Sequence, residues 1–227
     1  MFNTQQTAMY QIQSVAQASV GERIDFLKKV YSLLAASLGT ATIGAFLGTG
    51  PLLPVVAPNM FLFFILEIAL IFFASYAQNK PGLNIVALFS FTTVSGLTLG
   101  PVLYRYSGTT VVVEALALTA VTFAGLSVYV ITSKKDFSFM SGFLFTGLMI
   151  VLVGSLLNMF FFHSPVMHFV TSGVCVFLFS GYILYDTSNI IRNYGTDQYI
   201  MAVLALYLDI LNLFMALLSI LGLSRND

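Results

Sequence analysis

The chain predicts an all-α integral membrane protein, a bundle of seven transmembrane helices, and three observations carry that class. Of 227 residues, 58% are hydrophobic and 8% charged, with a mean hydropathy of +0.93; a soluble core of this size cannot bury so much apolar surface. The apolar runs are about 20 residues long and unbroken, the length of a spanning helix, whereas barrel strands are about 10 residues long and alternate in polarity. A helix also satisfies its own backbone in hydrocarbon. No polar block exceeds about 30 residues, so one membrane domain at 28–227 follows a polar stretch at 1–27.

Taken in order, residues 1–27 are rich in glutamine (Gln5, Gln6, Gln11, Gln13, Gln17) and end in Glu22, Arg23 and Asp25, followed by Lys28 and Lys29. They read as a flexible tail leading into a short amphipathic segment. No apolar core follows a basic start, so no cleavable signal is expected. Spans are expected at 30–49, 55–77, 83–104, 109–132, 138–161, 166–191 and 199–222. Turn and breaker residues separate them: Pro51, Pro54 and Pro58, then Lys80-Pro-Gly82, Ser107-Gly108, Lys134-Lys-Asp136, Ser164-Pro165 and Asn193-Tyr-Gly-Thr-Asp197. Gly39 and Gly44, Gly96 and Gly100, Gly142 and Gly147, and Gly173 and Gly181 mark faces where helices approach closely. Pro101 is expected to kink or end the third helix.

Seven spans place the N-terminal stretch and loops two, four and six on one face, with Arg23, Lys28, Lys29, Lys80, Lys134, Lys135 and Arg192. The other face holds Arg105 and Arg225. That asymmetry puts the N-terminus in the cytoplasm and the C-terminus outside. A formal net charge of zero and a pI of about 6.7 suggest no nucleic-acid partner. The lone Cys175 is expected to pack. His163 and His168 lie near a membrane surface without metal-site spacing, and no glycine-rich phosphate loop, HExxH or Gly-x-Ser-Gly is present. No enzyme and no cofactor are expected.

The residues that need a chemical reason are the acids inside the spans. Asp186 lies in the sixth span and Asp209 at the middle of the seventh. At about 1.5 Å per residue, Asp186 sits ~8 Å above the cytoplasmic end, with Asp209 and Glu67 both ~15 Å up. All three are expected to meet in the inner half of the bundle, while Glu114 belongs near the outer mouth. An ionised carboxylate at such depth costs at least ~2.5–3.5 kcal/mol, so it faces the interior, pairs or holds a proton. No Lys or Arg shares that depth. Two acids at close range then share a proton, or bind a hard cation such as calcium when both are ionised. Arg192 and Lys80 are the nearest basic residues to cap the site. Asn189 and Asn212 each follow an acid by three positions and are expected to hydrogen-bond it. Presenilin-type aspartyl proteases also place acids in adjacent helices, but with Gly-x-Gly-Asp where this chain has Leu206-Tyr-Leu-Asp209, and with a Pro-Ala-Leu motif that is absent.

Four blocks resemble the Bax inhibitor-1 family, also called the transmembrane Bax-inhibitor-motif family. They are Gly181-Tyr-Ile-Leu-Tyr-Asp-Thr-Ser-Asn-Ile-Ile191, Ala205-Leu-Tyr-Leu-Asp-Ile-Leu-Asn-Leu-Phe214, Ser95-Gly-Leu-Thr-Leu-Gly-Pro-Val-Leu103 and Lys134-Lys-Asp-Phe-Ser-Phe139. The likeness runs from about Lys28 to the C-terminus and points to the bacterial YccA-like members. It implies a bundle whose last helix is surrounded by the other six, in a bacterial inner membrane. It also implies that Asp186 and Asp209 form a pH sensor gating a calcium leak, with Glu67 as an acid the family places in its second helix. Calcium-leak members can carry an arginine latch where this chain has Gln78. YccA-like members further imply a role as modulators of the membrane protease FtsH, for which a cytoplasmic N-terminal tail is a suitable handle.

Overall fold

The computed structural model describes residues 14–133 and 135–224. Among the described residues the regular elements are helical, and seven helical stretches are long and apolar enough to cross a membrane, as expected. They are α1 (Val20–Thr49), α2 (Met60–Ala77), α3 (Leu83–Tyr104), α4 (Val111–Ser133), α5 (Ser141–Leu157), α6 (Pro165–Arg192) and α7 (Tyr199–Ser224). Short turns extend two of them. Leu53–Val56 and Ala57–Asn59 lead into α2, and Ser138–Met140 and Asn158–Phe162 flank α5.

Local chemistry explains where the boundaries move from their expected places. α1 begins at Val20, well before the apolar run, because Ser19 and Glu22 form a capping box. The Glu22 N–H donates to Ser19 Oγ at 3.3 Å and the Ser19 N–H to Glu22 Oε2 at 2.9 Å, satisfying two otherwise orphaned donors. The polar stretch expected as a tail at 1–27 therefore divides. Residues 1–13 lie outside the described residues, as do Lys134 and Arg225. Ser14 bridges Gly195, and Val15 is fully buried with its N–H donating to Tyr194 O at 2.8 Å. Pro101 does not end α3, which continues to Tyr104. α6 starts on Ser164, whose hydroxyl accepts the Met167 N–H, with Pro165 at the first helical position.

The tightest crossing joins α1 and α3. A Cβ on Gly44 would strike the Thr93 carbonyl, one on Gly48 the Leu97 carbonyl, one on Gly96 the Ala41 carbonyl, and one on Gly100 the backbone of Gly48. Gly44, Gly96 and Gly100 thus serve as expected, and Gly48 joins them. Gly39, Gly142 and Gly173 meet nothing within 4 Å. Gly147 receives Leu178 and Gly181 receives Leu144, fastening α5 to α6. The last helix is the most enclosed: 61% of its most apolar window is buried, against 6% in the second and fifth spans. It packs on α6, α4 and α1 and touches α2 and α3, while α5 packs mainly on α6 at the rim. Outward faces carry Phe61, Phe72, Phe143, Phe161 and Phe177, as lipid contact requires.

These contacts predict opposite outcomes for one substitution at two glycines. Gly96→Ala forces α1 and α3 apart and costs about 1–3 kcal/mol, the range of overpacked cores. Gly39→Ala meets open space and gains up to about 1 kcal/mol of helix propensity. Thermal unfolding of both variants in one detergent checks the contrast.

Candidate functional site

The centre of the bundle holds a pair of carboxyls. Asp209, on α7, is 4% exposed, and Asp186, on α6, is half-buried. Their carboxyls are in side-chain hydrogen-bond contact. Ionised carboxylates only accept, so this contact needs a proton on one of them. Asp209 Oδ2 is buried with no hydrogen-bond partner.

The rotation of α7 is what turns Asp209 toward α6. Tyr207 is clamped to α3: its hydroxyl donates to Ser95 Oγ at 3.1 Å, and its ring meets Phe91 edge-on at 5.6 Å and 75°. Two residues later the helix has turned by about 200°, so Asp209 faces the opposite side. Farther along, Ser172 and Ser219 hydroxyls meet at 2.9 Å, and Ser219 also contacts His168 Nε2 at 3.0 Å. These bonds hold α6 and α7 in register.

Tyr182 and Tyr194, which periodicity did not single out as site residues, both lie within electrostatic reach of the pair. Tyr182 stands four residues before Asp186, hence on its helix face, and its ring stacks on Phe179 at 5.8 Å and 30°. Tyr194 belongs to the loop between α6 and α7, where no periodic signal exists. Burial, reinforced by the charge of Asp186, pushes its phenol up to about 12.

The other expected members go elsewhere. Glu67 lies by Thr98 and Tyr207, on the side of α7 turned away from Asp209, so the three acids do not converge. Glu67 Oε1 is buried without a partner. Among the described residues, no group of three or more His, Cys, Asp and Glu could hold a metal. Glu114 stands in the first turn of α4 and accepts from the Thr110 hydroxyl at 2.7 Å. Asn212 donates to the Leu208 carbonyl at 2.8 Å and Asn189 accepts from Asn193 at 2.7 Å, so these bonds replace the expected ones to the acids. An amide four residues along its own helix, or at its frayed end, is simply nearer. Gln78 ends α2 with Oε1 buried and unpartnered. Lys80 sits 3.7 Å over the Tyr76 ring, and Arg192 pairs with Asp136 at 4.0 Å. Neither caps the aspartates.

Residues 23–226 match the family described as inhibitor of apoptosis-promoting Bax1. The chain belongs to the Bax inhibitor family. Its relatives in this family span bacteria and mammals. A Vibrio cholerae membrane protein is 43% identical over 209 residues, 88% of this chain and 90% of that one. The Escherichia coli modulator of FtsH protease YccA is 38% identical over 204 residues, 88% of this chain and 91% of its own. Mouse protein lifeguard 4 is 36% identical over 212 residues, 91% and 88% respectively. The chain is accordingly a multi-pass membrane protein of the Bax inhibitor family with a YccA relative.

The loop at Asp136 gives a pH prediction. Its carboxylate accepts the Ser138 N–H at 2.9 Å and faces Arg192, which together hold it below the usual carboxylate range. A depressed carboxylate stabilises the fold above its unfolded pKa, about 3.9, and loses that contribution as pH falls through the folded value. Asp136→Asn should therefore be less stable than the parent at neutral pH, with the gap closing in acid. Thermal midpoints across pH read this directly.

Proposed function

We propose that the protein is a pH-responsive cation leak, calcium being the favoured cargo, with Asp186 and Asp209 as sensor and ion ligands. The observation that carries this reading is two carboxyls in hydrogen-bond contact, the buried Asp209 with one oxygen unpartnered and, among the described residues, no cation contributing to either. Neither the 510 Å³ nor the 350 Å³ cavity is lined by either aspartate. Loss of the shared proton places two like charges in contact, which drives α6 and α7 apart and offers carboxylate oxygens to a hard cation. Glu67 and Glu114 lie off the pair and contribute, in this reading, as separate acidic stations along the path. With Gln78 at the end of α2, no arginine latch holds the aspartates. Gating therefore rests on the pair itself and on the tyrosines around it.

A second reading is favoured by the similarity to YccA, named as a modulator of FtsH protease. We infer that this chain resides in a bacterial inner membrane, N-terminus in the cytoplasm, and engages that protease through the residues before Ser14. It needs no catalysis and no cofactor of its own. The two readings use different parts of the molecule and are compatible.

Calcium flux into liposomes holding the purified chain, at about pH 6 and about pH 8, brackets the range over which a coupled acid pair responds. The expected outcome is a rate that changes with pH in the parent and loses that response in Asp209→Asn. Parent-like flux and pH dependence in Asp209→Asn would sink the sensor assignment. For the second reading, removing residues 1–13 should weaken capture by FtsH while leaving liposome flux unchanged.

A further inference from the structure

We propose that the cavity between the start of α1, the end of α4 and the end of α6 is a binding site for a phosphate group. It encloses about 350 Å³ and is lined by Arg23, Lys135, Arg192 and Ser188, with Val130 and Ile131 as an apolar wall. The three cations come from three separate stretches of chain, so only the folded bundle brings them together.

The charged residues that line this cavity are cationic. Arg192 faces Asp136 at 4.0 Å. The Lys135 ammonium lies 3.2 Å from the Tyr129 hydroxyl, a neutral partner. Glu22, next to Arg23, is occupied by the Ser19 cap. Arg23, Lys135 and Arg192 thus border a common space whose described lining contains no carboxylate. Convergent like charges repel, and a cleft lined by one sign of charge concentrates counter-ions. The guanidinium fork matches phosphate oxygens bidentately, with the ammonium adding a point charge. Ser188 Oγ accepts the Phe137 N–H at 3.1 Å and its side chain also bonds the Asp136 carboxylate, so it braces the loop at the edge of the cavity and leaves the cations as the donors.

The apolar wall bears on the source of the phosphate. Ile131 is 41% exposed and Val128, one turn away on α4, 58% exposed, so the cavity opens beside the lipid-facing surface. An anionic phospholipid can place its headgroup among the cations and its chains along α4, at the end of the bundle where basic residues gather. A soluble phosphate fits the same donors without using that wall.

The test uses the full chain in detergent, with thermal unfolding as readout, titrated separately with phosphatidylglycerol, inorganic phosphate and diacylglycerol, which lacks the phosphate. Stabilisation by phosphatidylglycerol alone assigns the site to a lipid headgroup, and stabilisation by inorganic phosphate assigns it to a soluble anion. In either case the Arg23→Gln/Lys135→Gln double variant should bind about tenfold more weakly or worse, from the loss of charge-assisted bonds. Arg23→Lys/Lys135→Arg and Arg105→Gln should keep the parental response. Equal stabilisation by diacylglycerol, no response to either phosphate source, or an unchanged response in the folded double variant would overturn the proposal.

Discussion

The bundle depends on the contact of two backbones where α1 crosses α3. Gly44, Gly48, Gly96 and Gly100 carry no Cβ at the closest points of that crossing, and in lipid such contact replaces the hydrophobic drive that assembles soluble helices. The same stretch of α3 presents Phe91, Thr92 and Ser95 to α7, where they grip Tyr207. Gripping Tyr207 fixes the rotation of α7 and turns Asp209 toward Asp186. The carboxyl pair is thus set by a crossing of helices that carry neither acid.

That dependence explains which parts of the site were legible in the sequence. Spans could be read because hydrocarbon thickness dictates their length, and an aspartate at the middle of an apolar run declares itself by its cost. The pairing of Asp186 with Asp209 followed from neighbouring helices at related depths. Depth alone failed for Glu67, because height along a helix says nothing about which way the side chain turns. Glu67 ends up behind Tyr207, across α7 from the pair. Asn189 and Asn212 share a face with their acids, yet find partners along their own backbone and helix end, which spacing does not rank. Tyr194 and the buried Val15 lie in loops, where no periodicity points anywhere.

The electrostatics of the pair differ from those of a latched site. A carboxylate held by arginine is neutralised whatever its surroundings do, and its energy changes little with pH near neutrality. Here Gln78 stands at the end of α2, while Arg192 is held by Asp136 and Lys80 lies over Tyr76. A proton held between the two carboxyls would then limit the charge at the pair in the proposed reading. Removing it leaves two charges facing each other at low dielectric, where repulsion is strongest. In the proposed reading the pair responds to proton loss by separating, provided that the helices carrying it can move.

The N-terminal strap bears on that freedom. Ser14 bridges Gly195, and the Val15 N–H donates to Tyr194 O with its side chain fully buried. The loop so held joins α6 to α7, the two helices that carry the aspartates, and the Tyr194 ring lies within reach of both carboxyls. A pull on Ser14 and Val15 would therefore act on the loop between those helices. In the proposed reading, a protease gripping the N-terminal residues and a proton leaving the pair act on one mechanical element from its two ends. In that reading, separation of α6 and α7 would strain the strap, and extraction of the strap would free the loop.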